Sequence, residues 1–417
     1  MDKFIVEGGK PLKGCIRIDG SKNASLPILL SSLLTGDACT VHCVPDLRDI
    51  RTTRQILDHI GKKCVFKDGT FIINCDRILK TDAPYGLVKQ MRASVLVAGP
   101  LLARFHRVKV PLPGGCSIGL RPIDIHLKAF EKLGAKIFRK SGDVIITAAG
   151  LRGSRIKFPF PSVGATENLM MCAVLVPGVT VLENCAREPE IADLAVFLRR
   201  MGARVEGEGT SLIRIKGVES LHGAEHTVIP DRVETGTYMI ACAAAGGRLC
   251  LENTQHSQLA SVIKCLKSTG IKVFCEKTAI TVDSSGRPRP VSIDTKPYPG
   301  FPTDLQAPWM ALMSLARGRS SIHEKIFENR FMHAAELARM GACIRVEGGR
   351  AEVEGVPHLS GAPVMASDIR AGAALVVAAL AAKGRSEIRR VYHIDRGYER
   401  MEEKLREAGA AIKRVKE

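Results

Sequence analysis

Aromatic residues are scarce in this 417-residue chain, at 5%, with a single tryptophan. The core must therefore be packed from Ala, Val, Leu and Ile. The five tyrosines form no platform on which single-stranded bases could stack. Long apolar runs are also missing. The longest, around Ala373 to Ala382, is too short to span a bilayer. The stretch Met1-Asp2-Lys3-Phe4-Ile5-Val6-Glu7-Gly8 has no apolar signal core. Together these absences argue against membrane insertion and export and lead us to expect a cytoplasmic protein.

Acidic residues are in deficit, 43 against 61 Lys and Arg, for a formal charge of +18. Such an excess fits nucleic acid, an anionic membrane or a small acidic substrate. Nucleic-acid binding calls for basic clusters, whereas here the arginines and lysines are spread along the chain, so a multiply charged small substrate is preferred. The thirteen cysteines would form a disulfide framework only in a small secreted chain. In a reducing cytoplasm most are expected to be free, buried and structural. Cys39-Thr-Val-His42-Cys43 supplies at most three metal ligands and alternates like a strand, so no metal is assigned there or elsewhere.

What the chain does have is a repeat. A helix-like stretch, a glycine, a small or basic pair and a β-branched strand start recur at Gly61, Gly134, Gly202, Gly270, Gly341 and Gly409, every 68 to 73 residues. Each glycine sits where a helix end needs a left-handed residue. Leu127, Phe130 and Leu133 mark the apolar face of the helix before the second glycine. Each repeat also has a helix that is apolar nearly all round, near 24–34, 91–102, 169–176, 239–245, 309–315 and 371–382. Such helices belong inside. Short strands such as Val144–Thr147 and Leu212–Ile215 complete the unit. At 417 residues the chain exceeds one ordinary core. Two α/β domains of three βα modules are expected, helices inside and sheets outside, with a substrate cleft between the domains.

Several residues could carry chemistry. Cys116, in Leu112-Pro-Gly-Gly-Cys116-Ser-Ile-Gly119-Leu-Arg121-Pro122, sits in a glycine- and proline-shaped loop beside Arg121, which would favour a thiolate; the same sequence could be a turn that holds a thiol. Ser21-Lys22-Asn23 opens an apolar helix, a place suited to an anion. Arg92, Arg121, Arg330, Arg370 and Arg396 stand at the apolar helices or their mouths. An arginine there is costly unless it meets a carboxylate or phosphate. Any one could pair with a nearby acid, but five together favour a collecting site for a multiply charged anion. Asp304 reads either as the N-cap of the next apolar helix or as a general base.

In order along the chain, the phrases Gly20-Ser-Lys22-Asn23-Ala24, Leu87-Val-Lys-Gln-Met-Arg92-Ala-Ser94, Leu112-Pro-Gly-Gly-Cys116 and Arg121-Pro122-Ile123-Asp124 resemble one family. So do Ser162-Val-Gly-Ala-Thr166, Asn184 through Glu190, Pro230-Asp-Arg-Val-Glu-Thr-Gly236, Phe301-Pro-Thr-Asp304, Phe327-Glu-Asn-Arg330-Phe-Met-His333 and Tyr392-His-Ile-Asp-Arg396-Gly-Tyr398. The family is UDP-N-acetylglucosamine 1-carboxyvinyltransferase, of the enolpyruvyl transferase superfamily. The resemblance implies a two-domain inside-out α/β barrel of six modules, with residues 21–229 as one domain and 1–20 plus 230–417 as the other.

It also implies a reaction without a cofactor, the first committed step of peptidoglycan synthesis. Phosphoenolpyruvate is protonated at its methylene carbon while the 3′-hydroxyl of UDP-N-acetylglucosamine attacks C2, and the tetrahedral ketal expels phosphate. By the same resemblance Cys116 is the acid, can form a covalent adduct and is the target of fosfomycin. Asp304 accepts the hydroxyl proton. Lys22, Arg121 and Arg396 hold the phosphate, Arg330 and Arg370 the carboxylate, with Asn23 beside the phosphoenolpyruvate. The nucleotide sugar lies along Asn23, Arg92, Arg121, Pro122, Ile123, Asp124, Ile125, Ser162, Val163, Gly164, Asp304 and Ile326. Phe160 stands where some relatives have a phosphate-contacting lysine. The shikimate-pathway enolpyruvyl transferase is the nearest rival, and it should lack the Gly-Gly-Cys loop; a nucleic-acid-binding repeat protein is the rival of another class.

Overall fold

The computed structural model describes residues 2–75, 80–111 and 123–416. They form a mixed α/β fold that groups into two compact units. One falls within residues 20–229; the other joins Met1–Asp19 to Pro230–Glu417.

Each unit holds three small sheets among the described residues. In the first, antiparallel pairs join Cys39–His42 to Thr70–Cys75, Arg107–Pro111 to Asp143–Thr147, and Val179–Glu183 to Leu212–Lys216. In the second, they join Gly247–Glu252 to Ala279–Ser284, Arg319–His323 to Arg350–Glu354, and Asp2–Glu7 to Arg385–Arg389. Parallel strands extend most of these sheets. Glu225–Thr227 lies beside Cys39–His42, tying the end of the first unit to its beginning. Leu12–Arg17 lies beside Gly247–Glu252 in the same way in the second. Strands bury alternate residues, as Asp143–Thr147 does with Val144 and Ile146, so each sheet keeps one wet face.

The apolar stretches are buried helices. Gln306–Met313 is buried at every position, and Ile369–Ala381 without a break from Arg370 to Leu380. Val163–Ala173 is buried from Ala165 onward, and Arg232–Ala245 from Val233 to Ala243. Lys22–Ser31 exposes part of Asn23 only. The helices begin earlier than the apolar runs suggest, because their first turns are polar. Ser21 accepts from the Ala24 amide and Ser162 from that of Ala165, both at 3.3 Å, and Asp231 and Asp368 cap their helices likewise. The stretch expected as one helix near 91–102 is instead a 3-10 segment, Arg92–Val97, followed by the helix Ala98–Phe105. Pro100 sits in the first turn of that helix, where its missing amide costs nothing.

All six repeat glycines have positive φ, between 88° at Gly409 and 118° at Gly61. At Gly134 the cap is complete: its amide donates to Glu131 at 2.9 Å, and the Ala135 amide reaches back to Phe130 at 3.1 Å. The same pair of bonds recurs at Gly202, Gly341 and Gly409. Before Gly134, the face of Leu127, Phe130 and Leu133 is buried as its spacing predicts. Among the described residues, no helix is long and apolar enough to cross a membrane.

Candidate active site

The second unit gathers three expected site residues around one carboxylate. Asp304 lies in the short 3-10 turn Thr303–Leu305 that leads into the helix Gln306–Met313. It does not cap that helix, contrary to one of the two readings of the sequence, because two guanidinium groups take its oxygens. Arg330 Nη2 donates to Oδ1 at 2.7 Å and Arg370 Nη2 to Oδ2 at 2.9 Å. Both arginine side chains are 6% exposed, Asp304 27%. Burial by itself would raise the Asp304 pKa. The charges of Arg370 and Arg330, with hydrogen bonds from both, override it and hold the carboxyl well below the usual range. In return Asp304 keeps the buried Arg370 firmly charged against the cost of its burial.

Arg370 is held from behind. Its Nη1 donates to the Tyr398 hydroxyl at 3.1 Å, and that hydroxyl lies 2.8 Å from Thr237 Oγ1. Thr237 donates its own hydrogen to the Val233 carbonyl at 2.8 Å, so Tyr398 must donate to Thr237. Arg330 stacks over the Phe327 ring at 5.0 Å, and its Nη1 is buried without a hydrogen-bond partner. Nearby, burial pushes the His333 imidazole down to about 4, so it is neutral at pH 7. Arg396 ends the 3-10 segment Val391–Arg396, which packs on the helix that carries Arg370. The next residue, Gly397, is so close that an added Cβ would meet Ile369 Cγ2 at 2.5 Å and Arg370 Nη1 at 3.5 Å. Ile326 donates its amide to Glu324 Oε1 at 2.9 Å.

In the first unit, Lys22 opens the helix Lys22–Ser31, is 6% exposed and has its ammonium 3.4 Å from Asp49 Oδ2. Ser162 caps the helix Val163–Ala173, and Gly164 lies under the His126 ring, where a Cβ would stand 3.5 Å from Cε1. Ile123 is buried and precedes Asp124, whose Oδ1 accepts from Arg139 at 3.0 Å; Ile125 follows, partly buried. Thus Ile123–Ile125 and Ser162–Gly164 are brought together through His126. Phe160 is 40% exposed. Cys116, Arg121 and Pro122 lie outside the described residues, and of Arg92 only the backbone, in its 3-10 turn, is described.

Sequence reasoning passed over several members of these clusters. His126 Nδ1 meets Asn168 Nδ2 at 3.0 Å, and burial pushes the imidazole down to about 4. Glu167 is buried, and burial together with Glu190 and Glu188 raises its pKa well above the ordinary value. Tyr398 was legible only as the end of a longer phrase, and Thr237, one residue past the phrase that ends at Gly236, was not singled out at all.

The sequence model of one family, EPSP synthase (3-phosphoshikimate 1-carboxyvinyltransferase), matches residues 6–405. The chain is 52% identical over 417 residues to UDP-N-acetylglucosamine 1-carboxyvinyltransferase 2 of Carboxydothermus hydrogenoformans, covering 100% of both. The chain belongs to the UDP-N-acetylglucosamine 1-carboxyvinyltransferase family. The relative of the same name in Elusimicrobium minutum is 51% identical over 416 residues, with 99% of each chain covered. Among solved structures, the enolpyruvyl transferase NikO from Streptomyces tendae matches with a TM-score of 0.89 at 25% identity, over 99% of both chains. EPSP synthase from Acinetobacter baumannii shares the fold, with a TM-score of 0.76 at 18% identity over 100% of both. Membership makes the chain a transferase.

Proposed function

We propose that the protein transfers the enolpyruvyl group of phosphoenolpyruvate to the 3′-hydroxyl of UDP-N-acetylglucosamine, releasing phosphate, as the first committed step of peptidoglycan synthesis in the cytoplasm. The observation that carries this reading is the pair of buried arginines, Arg330 and Arg370, converging on one carboxylate. Two guanidinium groups that clamp Asp304 can clamp a substrate carboxylate in the same geometry. Full-length identity to relatives that bear this activity in their names supports it further. For the architecture we propose an inside-out arrangement of six modules, in two domains at 21–229 and at 1–20 with 230–417; the six repeat glycines and the two compact units support it.

The clamp also answers an objection to Asp304 as a base. A carboxyl held so far below its usual range accepts a proton poorly at pH 7. When the carboxylate of phosphoenolpyruvate competes for Arg330 and Arg370, Asp304 loses its partners and its basicity rises. It then takes the proton of the attacking hydroxyl. Cys116 protonates the methylene carbon, and the new C–O bond at C2 gives the tetrahedral ketal. Loss of phosphate and of one methyl proton restores the double bond. Lys22, Arg121 and Arg396 balance the phosphate charge; Asn23, Arg92, Arg121–Ile125, Ser162–Gly164 and Ile326 bind the nucleotide sugar.

The test is release of phosphate from phosphoenolpyruvate with each acceptor. Release with UDP-N-acetylglucosamine is expected; release only with shikimate 3-phosphate would give the protein to the rival activity, and release with neither would end the reading. Fosfomycin should add one mass adduct, lost in Cys116→Ser. Labelling that survives this substitution removes Cys116 from its role.

A further inference from the structure

On the outer face of the sheet that joins Leu12–Arg17 to Gly247–Glu252, two cysteines stand side by side. The strands are parallel, and Cys15 is directly paired with Cys250. Leu249 and Leu251 point into the core, so Arg248, Cys250 and Glu252 share the outer face, as do Lys13, Cys15 and Arg17 on the edge strand. One ligand atom each from Cys15, Cys250 and Glu252 lies within 4.8 Å of the other two. We propose that Cys15, Cys250 and Glu252 form a binding site for one thiophilic divalent cation of the zinc type, with its fourth position open to water.

The geometry suits an ion bridging two reduced thiols, and both cysteines are free. Paired residues on neighbouring strands leave the sheet in the same direction, about 4.8 Å apart. A tetrahedral ion with metal–sulfur bonds of about 2.3 Å needs the two sulfurs about 3.8 Å apart, which small side-chain rotations reach from this spacing. Glu252, two residues beyond Cys250 on the same face, adds an oxygen. Sulfur ligands select zinc-like ions over magnesium or calcium.

The charges also suit an ion. Two thiolates and a carboxylate leave a divalent ion with net negative charge, which Lys13 and Arg17 on the adjoining strand offset. Binding releases both thiol protons to solvent, so affinity should climb with pH. The site is independent of the reaction proposed above, and its effect is to pin the edge strand Leu12–Arg17 to the sheet.

Titration of the reduced full-length protein with Cd²⁺ tests the site through thiolate-to-cadmium charge-transfer absorbance, with Zn²⁺ as competitor. The expected result is saturation at one ion, displaced by Zn²⁺, with affinity reduced at least about tenfold in Cys15→Ser and in Cys250→Ser. Both variants should fold and turn over as the parent does, because serine keeps the shape of each side chain and Cys15 is exposed and Cys250 only partly buried. Zn²⁺ should raise the melting temperature of the parent and leave that of the double serine variant unchanged. A double variant that titrates like the parent overturns the site. So does reduced parent protein that loses two hydrogens by intact mass in air while failing to bind Zn²⁺. An unchanged affinity in Glu252→Gln would remove the carboxylate from it.

Discussion

Glu167, midway along the buried helix Val163–Ala173, and Asp304, just ahead of the buried helix Gln306–Met313, are carboxylates, one in each unit, whose surroundings drive them in opposite directions. Glu167 is buried beside Glu190 and Glu188 and keeps its proton far above the ordinary range. Asp304 is met by Arg370 and Arg330 and stays ionised far below it. Burial raises the pKa of both, so it cannot be what separates them. The sign of the neighbouring charge decides. The contrast matters for chemistry: the first unit holds a neutral acid within an acidic group, the second a charged acid within a cationic one.

The sharpest way to break this comparison is turnover. Asp304→Asn keeps the shape of the clamp but cannot take a proton, and kcat should fall by roughly 10²–10⁴-fold. Glu167→Gln should lose far less; equal losses would show that the two carboxyls do not differ in role.

Stability should separate them next, in opposite directions. Asp304→Asn leaves two buried arginines without a counter-charge and should cost about 3 kcal/mol in denaturant unfolding, as breaking a buried pair does. Glu167→Gln should stabilise the protein at neutral pH. The native state holds a Glu167 proton that the unfolded chain releases above about pH 4.3, so the parent loses stability as pH rises from there toward the folded pKa. That loss should vanish in the glutamine variant. The Asp304 contribution runs the other way: it is present above the ordinary aspartate pKa and is lost as pH falls toward the depressed one. Parallel pH profiles for the two variants would contradict the assignment of opposite charge. The smallest effect is expected for Tyr398→Phe, which removes both hydrogen bonds of the hydroxyl, the one accepted from Arg370 and the one given to Thr237, and should cost about 1–2 kcal/mol; no change would take Tyr398 out of the network.

The sequence made some of this legible and hid the rest for physical reasons. The six glycines stood out because a left-handed helix end is a local demand that almost only glycine meets cheaply. The buried helices were readable from their apolar length, and the start at Ser21-Lys22 was readable too, but those at Ser162 and Asp368 were not, since such caps look like loop residues. Arg330 and Arg370 were recognisable as arginines in need of an anion. That both would find it in Asp304, 26 and 66 residues away in the chain, depends on packing that no local pattern encodes. Glu167 was passed over because a buried glutamate in a helix has the same letter as an exposed one. Cys15 and Cys250 were read as structural because their pairing belongs to the parallel ladder between distant segments.

The row of hydrogen bonds from Arg370 through Tyr398 and Thr237 to the Val233 carbonyl has a direction. Each hydroxyl gives forward the single proton it owns and receives from the group before it, so the row admits one arrangement and no mirror-image alternative. It therefore acts as a ratchet pawl behind the guanidinium. In the reading proposed above, a substrate carboxylate replaces Asp304 at the front of Arg370 while the back stays seated on this row, so the exchange asks for no reordering of the scaffold.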